Sequence, residues 1–194
     1  LWMSKCARVA LRLLRRNATY FPGLLALKLC PDFMGRVGKP KKIIAVTGSN
    51  GKTTVSNLLN DVLTDKGYRV LNNRLGSNVA AGIATSLLVG STLFGHSKHE
   101  LAVLEIDERS SRRIYPYVNP DFLVITNLFR DSPMRNAHPQ YIADFIESAV
   151  PNTTKLILNA DDLISSGICP DNPRVYFGLD RMKTDVTACV NLIN

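Results

Sequence analysis

One glycine-rich segment combines the residue types that hold nucleotide phosphates, and it reads Val46-Thr47-Gly48-Ser49-Asn50-Gly51-Lys52-Thr53-Thr54. Glycines let backbone N–H groups approach anionic oxygens, a helix N-terminus favours negative charge, and a lysine reaches the terminal phosphates. Gly48, Gly51 and Lys52 supply these groups, and Thr53 stands where a hydroxyl would coordinate Mg²⁺. The strict phosphate-loop pattern has a glycine where this chain has Val46. We predict a variant ATP-binding loop, with an ordinary strand-to-helix turn as the alternative.

The elements around this loop alternate between strand and helix. Short β-branched or apolar runs predict strands at 43–47, 68–71, 101–106, 122–126 and 155–158, and apolar periodicity predicts helices at 53–66, 76–89 and about 140–150. Strands buried on both faces and joined by helices indicate an α/β fold with a doubly wound, mostly parallel sheet. Ligands of such sheets bind beyond the carboxyl ends of the strands, where the loop lies.

The N-terminal stretch predicts an amphipathic basic helix. Its apolar residues recur at roughly helical spacing with arginines between them, and they are Trp2, Cys6, Val9, Ala10, Leu13 and Leu14. We favour a helix packed on the domain over one lying on a membrane surface. Residues 21–23 break this pattern and residues 31–40 read as a linker. We therefore divide the chain into residues 1–40 and an ATP-binding domain at 41–194.

Composition and charge exclude several classes of protein. The 194 residues, 45% hydrophobic and 21% charged, suit one main globular domain. The net charge of +8 is concentrated in the first sixteen residues and just before the first strand, without a nucleic-acid-binding motif, so we expect no nucleic acid partner. The four cysteines are scattered, which predicts reduced thiols in the cytoplasm. We find neither a signal peptide nor an apolar stretch long enough to span a bilayer.

The variant loop resembles the TGxNGKTT loop that opens the central ATPase domain of the Mur ligases. The resemblance covers most of residues 41–180 and continues, in the family's order, through Leu104-Glu105-Ile106-Asp107-Glu108, Thr126-Asn127 and Leu158-Asn159-Ala160-Asp161-Asp162. It implies a P-loop type fold of the Mur ligase central domain.

Within the family, the chain is most similar to the MurT subfamily, the ligase-like subunits of lipid II isoglutaminyl synthase. Pro22-Gly23, Pro31 and the run Asn127-Leu128-Phe129-Arg130-Asp131 carry this likeness. Other Mur ligases begin with a whole substrate domain, whereas about forty residues precede the loop here, too few for such a domain.

The resemblance implies roles for individual residues. Lys52 would hold the β- and γ-phosphates, and Thr53 and Glu105 would be the Mg²⁺ ligands, which suits a hard cation that prefers oxygen. Asn159 and Asp162 would lie around the adenine and ribose. The full ATP-binding set is then Gly48, Ser49, Asn50, Gly51, Lys52, Thr53, Thr54, Asn159 and Asp162, with Lys52 and Glu105 as catalytic residues. Asp107 and Glu108 are equally well interpreted as solvated loop acids, and Asp161 as a structural residue. Asn78 and Asn127 are equally well interpreted as residues that line the site and as polar helix-cap or turn residues.

The chain departs from the subfamily at two places. MurT proteins commonly read Arg-Asp-Gln-Leu-Asp where this chain reads Arg130-Asp131-Ser132-Pro133-Met134-Arg135, and His138 lies too far along to act as a substitute ligand. They also continue into a cysteine-rich zinc insertion and a further domain, whereas this chain has the single Cys189 and stops at Asn194. We expect the sequence to be a fragment of a longer protein.

The resemblance implies ATP-dependent amidation of the D-glutamate of lipid II through an acyl phosphate, with ATP and Mg²⁺. Ammonia would come from a glutaminase-type, GatD-like partner subunit. The alternatives are another Mur-type ligase, such as a folylpolyglutamate synthase, and an ATP-binding switch module that makes no product. We expect a cytoplasmic location. The basic N-terminal helix leaves a location at the inner face of the membrane as an open alternative.

Overall fold

A sheet of parallel strands forms the centre of the molecule, in a computed structural model that describes residues 1–13, 19–74, 77–129 and 139–179. The strands are β1 (Lys42–Thr47), β2 (Val70–Asn72), β3 (Leu101–Glu105), β4 (Phe122–Ile125), β5 (Lys155–Asn159) and β6 (Arg174–Phe177). They lie in the order β2-β3-β1-β4-β5-β6, and each neighbouring pair is parallel. The predicted α/β fold with a mostly parallel sheet is confirmed.

Helices connect and cover these strands. They are α1 (Trp2–Leu13), α2 (Phe21–Leu29), α3 (Phe33–Arg36), α4 (Lys52–Asp65), α5 (Ala80–Gly90), α6 (Ser111–Val118), α7 (Pro139–Glu147) and α8 (Leu163–Gly167). A short 3₁₀ turn, Glu108–Ser110, precedes α6. Within the described residues, no helix is both long and apolar enough to cross a membrane.

The two faces of the sheet are covered unequally. Successive side chains of a strand point to opposite faces, so Ile43 and Ala45 of β1 join a large core cluster with residues of α2, α3 and α5–α8. Val46 joins a smaller cluster that contains Val55 and Leu59 of α4. Among the described residues, α4 is the one helix that contributes to this second cluster, so the helix that follows the phosphate loop packs directly on the central strands.

The predicted elements are present with shifted ends, and several short ones were missed. The second strand was predicted at 68–71 and is Val70–Asn72, and the helix predicted to start at Gly76 starts at Ala80, with Gly76 itself outside the described residues. Apart from α2, the missed helices and strands are α3, α6, α8 and β6. Each is eight residues or shorter, and α6 contains Pro116, so none shows a long apolar period.

The structure corrects the interpretation of residues 21–23 as a break and of residues 31–40 as a linker, because Phe21–Leu29 and Phe33–Arg36 are helical. Pro22 lies in the first turn of α2, where its missing N–H loses no hydrogen bond. Gly23 lies so close to α5 that a Cβ atom on it would be 1.9 Å from Ala81 O. Both residues that suggested a break therefore serve the packing of α2 on α5.

A buried hydrogen bond across this contact gives a test of the packing. The Gly23 N–H donates to Thr85 Oγ1 of α5 at 2.9 Å. Thr85→Val keeps the shape and leaves that N–H without its acceptor, so we expect the free energy of unfolding to fall by about 1–3 kcal/mol. Urea titration measures this change.

Ser86→Ala is the matched control, because Ser86 Oγ donates to Gly82 O within α5. Its effect should stay within about 0.5 kcal/mol. Equal losses in the two variants would contradict the assigned importance of the contact between α2 and α5.

Candidate functional site

The phosphate loop lies where the sheet changes its direction of winding. β1 pairs with β3 on one side and with β4 on the other. The chain leaving β1 runs through α4 toward the edge strand β2, whereas the chain leaving the neighbouring β4 runs toward β5 on the other side. A crevice forms at such a switch point, and ligands of open α/β sheets bind in it. The loop between β1 and α4 occupies this crevice, as the sequence predicted.

The glycines of the loop meet two different demands. Gly48 has φ of 130°, and a Cβ atom on it would lie 2.2 Å from Thr126 Oγ1. Gly51 has φ of 80° and forms the N-cap of α4, and a Cβ atom on it would meet no atom of the described residues within 4 Å. Gly48 is thus required by both crowding and conformation, and Gly51 by conformation alone.

The chain that follows β4 braces the loop from the side. The Ser49 N–H donates to Asn127 O at 2.8 Å and the Asn50 N–H donates to Asn127 Oδ1 at 3.0 Å. In return, Asn127 Nδ2 and Thr126 Oγ1 donate to Asn50 O at 3.1 and 2.6 Å. Asn127, for which a turn or site role stayed open, therefore fixes the conformation of the phosphate loop.

Lys52 and Glu108 form a buried ion pair over this loop. Lys52 Nζ lies 2.8 Å from Glu108 Oε1, and the two side chains are 16% and 12% exposed. Lys52 Nζ also donates to Gly48 O, and Glu108 Oε1 accepts the Gly48 N–H at 3.2 Å. A carboxylate thus holds both the loop N–H and the loop lysine, the two donors that a phosphate oxygen would engage.

An open cleft of about 390 Å³ adjoins the pair and is bounded by the loop, the start of α5, the 3₁₀ turn and α7. Its lining residues are Ser49, Lys52, Asn78, Val79, Asp107, Glu108, Arg109 and Ile142. Asp107 caps the 3₁₀ turn by accepting the Arg109 N–H at 3.3 Å. Arg109 was missed by the sequence reasoning, although its place directly behind an acidic cluster at a strand end was a usable signal.

The structure separates the acidic residues that the sequence grouped together. Glu108 contacts the loop, whereas Glu105 Oε1 accepts a hydrogen bond from Asn78 Nδ2 at 3.1 Å. Asn78 and Glu108 line the cleft, whereas Glu105 adjoins it through this contact with Asn78. The side chain of Glu108 is largely buried, which removes its interpretation as a solvated loop acid, and the role of Glu105 as a metal ligand stays a prediction.

The donor set beside the loop fits a divalent cation shared with phosphates. Thr53 and Thr54 are exposed in the first turn of α4, and Glu108 offers a carboxylate beside Lys52. These oxygen donors suit Mg²⁺, which keeps several waters and takes one or two protein ligands. The described residues hold no cluster of three or more His, Cys, Asp or Glu that could bind a metal by itself.

The residues predicted to surround adenine and ribose form hydrogen bonds with the segment that follows β4. Asn159 Nδ2 donates to Thr126 O at 2.9 Å, and the buried Asp162 accepts the Leu128 N–H at 2.6 Å while capping α8. Asp161 accepts the Leu179 N–H at 2.8 Å. Asn159 and Asp162 thus hold the segment that braces the loop, and their contact with a nucleotide stays a prediction.

The residues at which the sequence departs from the MurT pattern lie outside the part of the chain that the structure describes. Residues 130–135, His138 and Cys189 are outside the described residues. The described cysteines, Cys6, Cys30 and Cys169, are free thiols.

Comparison with known proteins relates this architecture to one family. A family model described as the Mur ligase middle domain matches residues 46–168. Over 180 residues the chain is 34% identical to the lipid II isoglutaminyl synthase (glutamine-hydrolyzing) subunit MurT of Staphylococcus aureus (strain COL), covering 91% of this chain and 40% of the relative. The MurT subunit of Streptococcus pneumoniae (strain ATCC BAA-255 / R6) is 36% identical over 172 residues, covering 88% and 38%. The chain thus spans about two fifths of the length of these relatives.

Solved structures show the same fold. A pseudomurein peptide ligase type C from Methanothermus fervidus superposes with a TM-score of 0.56 and 27% identity, covering 74% of this chain and 28% of that one. MurF ligase from Thermotoga maritima in complex with ADP gives a TM-score of 0.58 at 20% identity, covering 81% and 36%. The second likeness concerns the fold alone.

Burial of Glu108 predicts a pH-dependent difference between the wild type and Glu108→Gln. Burial raises the pKa of Glu108 above its usual value, and the neighbouring Lys52 only partly opposes this. A raised pKa in the folded state means that the wild type loses stability as the pH rises from about 4 through the folded pKa. The stability of Glu108→Gln minus that of the wild type should therefore increase over that interval and then level off.

Thermal unfolding in the absence of nucleotide, measured from pH 4 to pH 8, tests this. Asp107→Asn is the control, because Asp107 is the neighbouring acid in sequence and its carboxylate caps the 3₁₀ turn instead of bonding the loop. A difference for Glu108→Gln that shrinks with rising pH would contradict the assigned direction of the shift.

Proposed function

This chain belongs to the Mur ligase family, and we propose that it holds the ATP-binding site of an ATP-dependent ligase. The observation that carries the proposal is the pair of Lys52 and Glu108 over the phosphate loop. A buried carboxylate that accepts both the Gly48 N–H and the Lys52 ammonium marks a cradle built for an anion. ATP phosphates fit this cradle, because the loop N–H groups and the N-terminus of α4 favour the same charge.

Nucleotide binding at this cradle requires Glu108 to yield its contacts. A phosphate oxygen would take the Gly48 N–H and the Lys52 Nζ, and the displaced carboxylate would remain beside the phosphates. There it can serve as an oxygen ligand of Mg²⁺ together with the Thr53 hydroxyl. When bound, Mg²⁺ would neutralise charge on the β- and γ-phosphates. Glu105 stays a second candidate for the Mg²⁺ ligand, and its carboxylate accepts a hydrogen bond from Asn78.

The proposed reaction is amide formation in two steps. An oxygen of the substrate carboxylate attacks the γ-phosphorus, the bond to the β-phosphate oxygen breaks, and ADP leaves with that electron pair. The nitrogen of ammonia then attacks the acyl carbon, inorganic phosphate leaves, and the nitrogen gives up a proton. Lys52 holds the phosphates during the first step and offsets the charge that develops on the leaving oxygen. Asn127 and Thr126 keep the loop in shape while this occurs.

The likeness to MurT subunits supports a particular substrate and partner. We propose that the carboxylate is that of the D-glutamate of lipid II, and that a GatD-like glutaminase subunit supplies the ammonia. The names of the two MurT relatives support this choice over a folylpolyglutamate synthase or an ATP switch without a product. The proposal places the chain in the cytoplasm, where ATP is available, and contact with the membrane is treated separately below.

The function is tested in the intact protein with lipid II, Mg²⁺, ATP and ammonium chloride, because ammonium replaces the partner as the nitrogen source. We expect ADP release that depends on lipid II and a mass shift from carboxylate to amide. Lys52→Met should lower the turnover by at least about a hundredfold, because the loss removes charge at the phosphates.

Lys41→Met is the control for this substitution, since Lys41 is exposed before β1 and away from the loop. It should retain turnover. Release of ADP with a folate and glutamate in place of lipid II and ammonium would support the other ligase. Nucleotide binding by the wild type without a product from either substrate pair would support the switch.

The two candidate carboxylates are distinguished by the metal dependence of nucleotide binding. Glu108→Gln should raise the Mg²⁺ concentration needed for half-maximal ATP binding by about tenfold or more, because a charged oxygen ligand becomes neutral. Glu105→Gln should change it by less than about threefold if it acts only through Asn78. Calorimetric titration of ATP at several Mg²⁺ concentrations measures both values, and the reverse order would assign the metal to Glu105.

A further inference from the structure

Helix α1 presents its apolar side to the outside. Trp2, Met3 and Val9 are 59%, 65% and 58% exposed, and Cys6 and Ala10 between them are exposed as well. The opposite side of the helix, with the buried Ser4 and the half-buried Arg8, faces α2 and α5. The half-buried Lys5, three residues after Trp2 and four before Val9, adjoins the exposed side. The sequence reasoning favoured a helix that packs on the domain, and α1 does so, but through its more polar side.

A second apolar element continues this exposed stripe. Phe94 and Leu93 are 84% and 52% exposed at a turn between α5 and β3. A Cβ atom built on Gly95 would lie 3.8 Å from Leu1 Cδ2, so the turn and the start of α1 are neighbours. The turn is held by three backbone hydrogen bonds, from Gly38 N to Gly95 O at 2.7 Å, from Gly95 N to Thr92 O at 3.1 Å and from Thr92 N to His96 O at 2.7 Å.

The surroundings of this apolar surface carry positive charge. The described cations near it are Lys5, Arg8 and Lys98, and residues 1–31 and 79–99 contain no Asp or Glu. Lys5 donates to Ser91 O at 2.6 Å. The pKa of Lys5 is lowered by burial and by the neighbouring Lys98 and Arg8. These cations therefore lie within range of one another, without a carboxylate in either segment.

We propose that this surface, formed by the exposed side of α1 and the turn at Leu93 and Phe94, binds an anionic lipid membrane. Tryptophan, methionine and phenylalanine side chains would enter the boundary between headgroups and acyl chains, and the exposed Lys98 beside Lys5 would meet the lipid phosphates. An apolar stripe on a basic helix is the pattern of interfacial helices, whose binding adds buried apolar area to attraction for anionic lipids.

Charge also decides against two other occupants. A second copy of the chain seated symmetrically on this surface would bring the two groups of Lys5, Arg8 and Lys98 together, which is destabilising. A nucleic acid would engage the cations but would leave the stripe of Trp2, Met3 and Phe94 unburied. A bilayer surface satisfies both the charge and the apolar area.

The membrane surface would lie at the opposite end of α5 from the candidate site. Helix α5 begins beside the cleft, which Val79 lines. It ends at Gly90, next to Ser91, whose carbonyl oxygen accepts the hydrogen bond from Lys5. Its eleven residues separate the two by about 16 Å at 1.5 Å per residue. Lipid contact would therefore leave the cleft open to solution. This inference does not depend on the proposed reaction.

Vesicle binding by the 194-residue chain tests the inference. Trp2 is the sole tryptophan, so its emission reports directly on the surface. We expect co-sedimentation with vesicles that contain phosphatidylglycerol, a blue shift of the Trp2 emission, and much weaker binding to phosphatidylcholine alone. Raising the salt from 0.1 M to 1 M should weaken the binding, because it shortens the screening length from about 10 Å to about 3 Å.

Two double variants make the test specific. Met3→Ser/Phe94→Ser removes apolar side chains from the surface and keeps Trp2, and it should lower the vesicle partition coefficient by about tenfold or more. Leu58→Ser/Val62→Ser changes two exposed residues of α4, 61% and 49% exposed, and should bind like the wild type. Circular dichroism and thermal unfolding verify that both variants fold.

Three results would contradict lipid binding by this surface. Absence of binding to phosphatidylglycerol vesicles by the folded wild type would overturn the proposal, and so would equal binding by the two double variants. If the Met3→Ser/Phe94→Ser variant instead shifted the oligomeric state in size-exclusion chromatography with its vesicle binding intact, the surface would be a protein interface.

Discussion

The close approach of the phosphate loop to the chain after β4 is the constraint on which the candidate site depends. Gly48 lies so near Thr126 that any side chain at this position would overlap it. This contact allows Asn127 to bond the backbone of Ser49 and Asn50 on both its donor and acceptor sides. A loop held in this way needs little reorganisation on meeting an anion, and such preorganisation is the main source of electrostatic stabilisation in phosphoryl transfer.

The loop, the central strands and the fold class could be predicted because their signals are local. Glycine spacing and β-branched runs depend on residues that are neighbours in sequence. The different contacts of Glu105 and Glu108 could not be predicted in the same way. Asp107 caps a 3₁₀ turn directly after β3, and this turn carries Glu108 over the loop while Glu105 bonds Asn78. A change of chain direction over three residues decides which carboxylate faces the cleft.

The orientation of α1 and the role of Asp162 show a second limit of sequence reasoning. Periodicity indicated an amphipathic helix correctly, but it does not say which side meets the protein. The side was decided by tertiary partners, such as Ser91, which accepts the hydrogen bond of Lys5. Likewise, the family resemblance implied that Asp162 lies near the nucleotide, which stays a prediction, whereas its hydrogen bond with the Leu128 N–H joins residues 34 apart in the chain and could not be predicted. Such contacts are set by packing rather than by any local pattern.

The central position of β1 ties the site to the folding of the whole sheet. The groups that complete the phosphate cradle are 60 residues apart at Gly48 and Glu108 and 77 apart at Asn50 and Asn127. Parallel pairings of this kind form late, because a long loop must close before they contribute. The cradle can exist only after β1 has met both β3 and β4, so the unfolded chain has no comparable affinity for the ligand. By mass action, a nucleotide at a hundred times its dissociation constant would stabilise the entire sheet by about 2.7 kcal/mol.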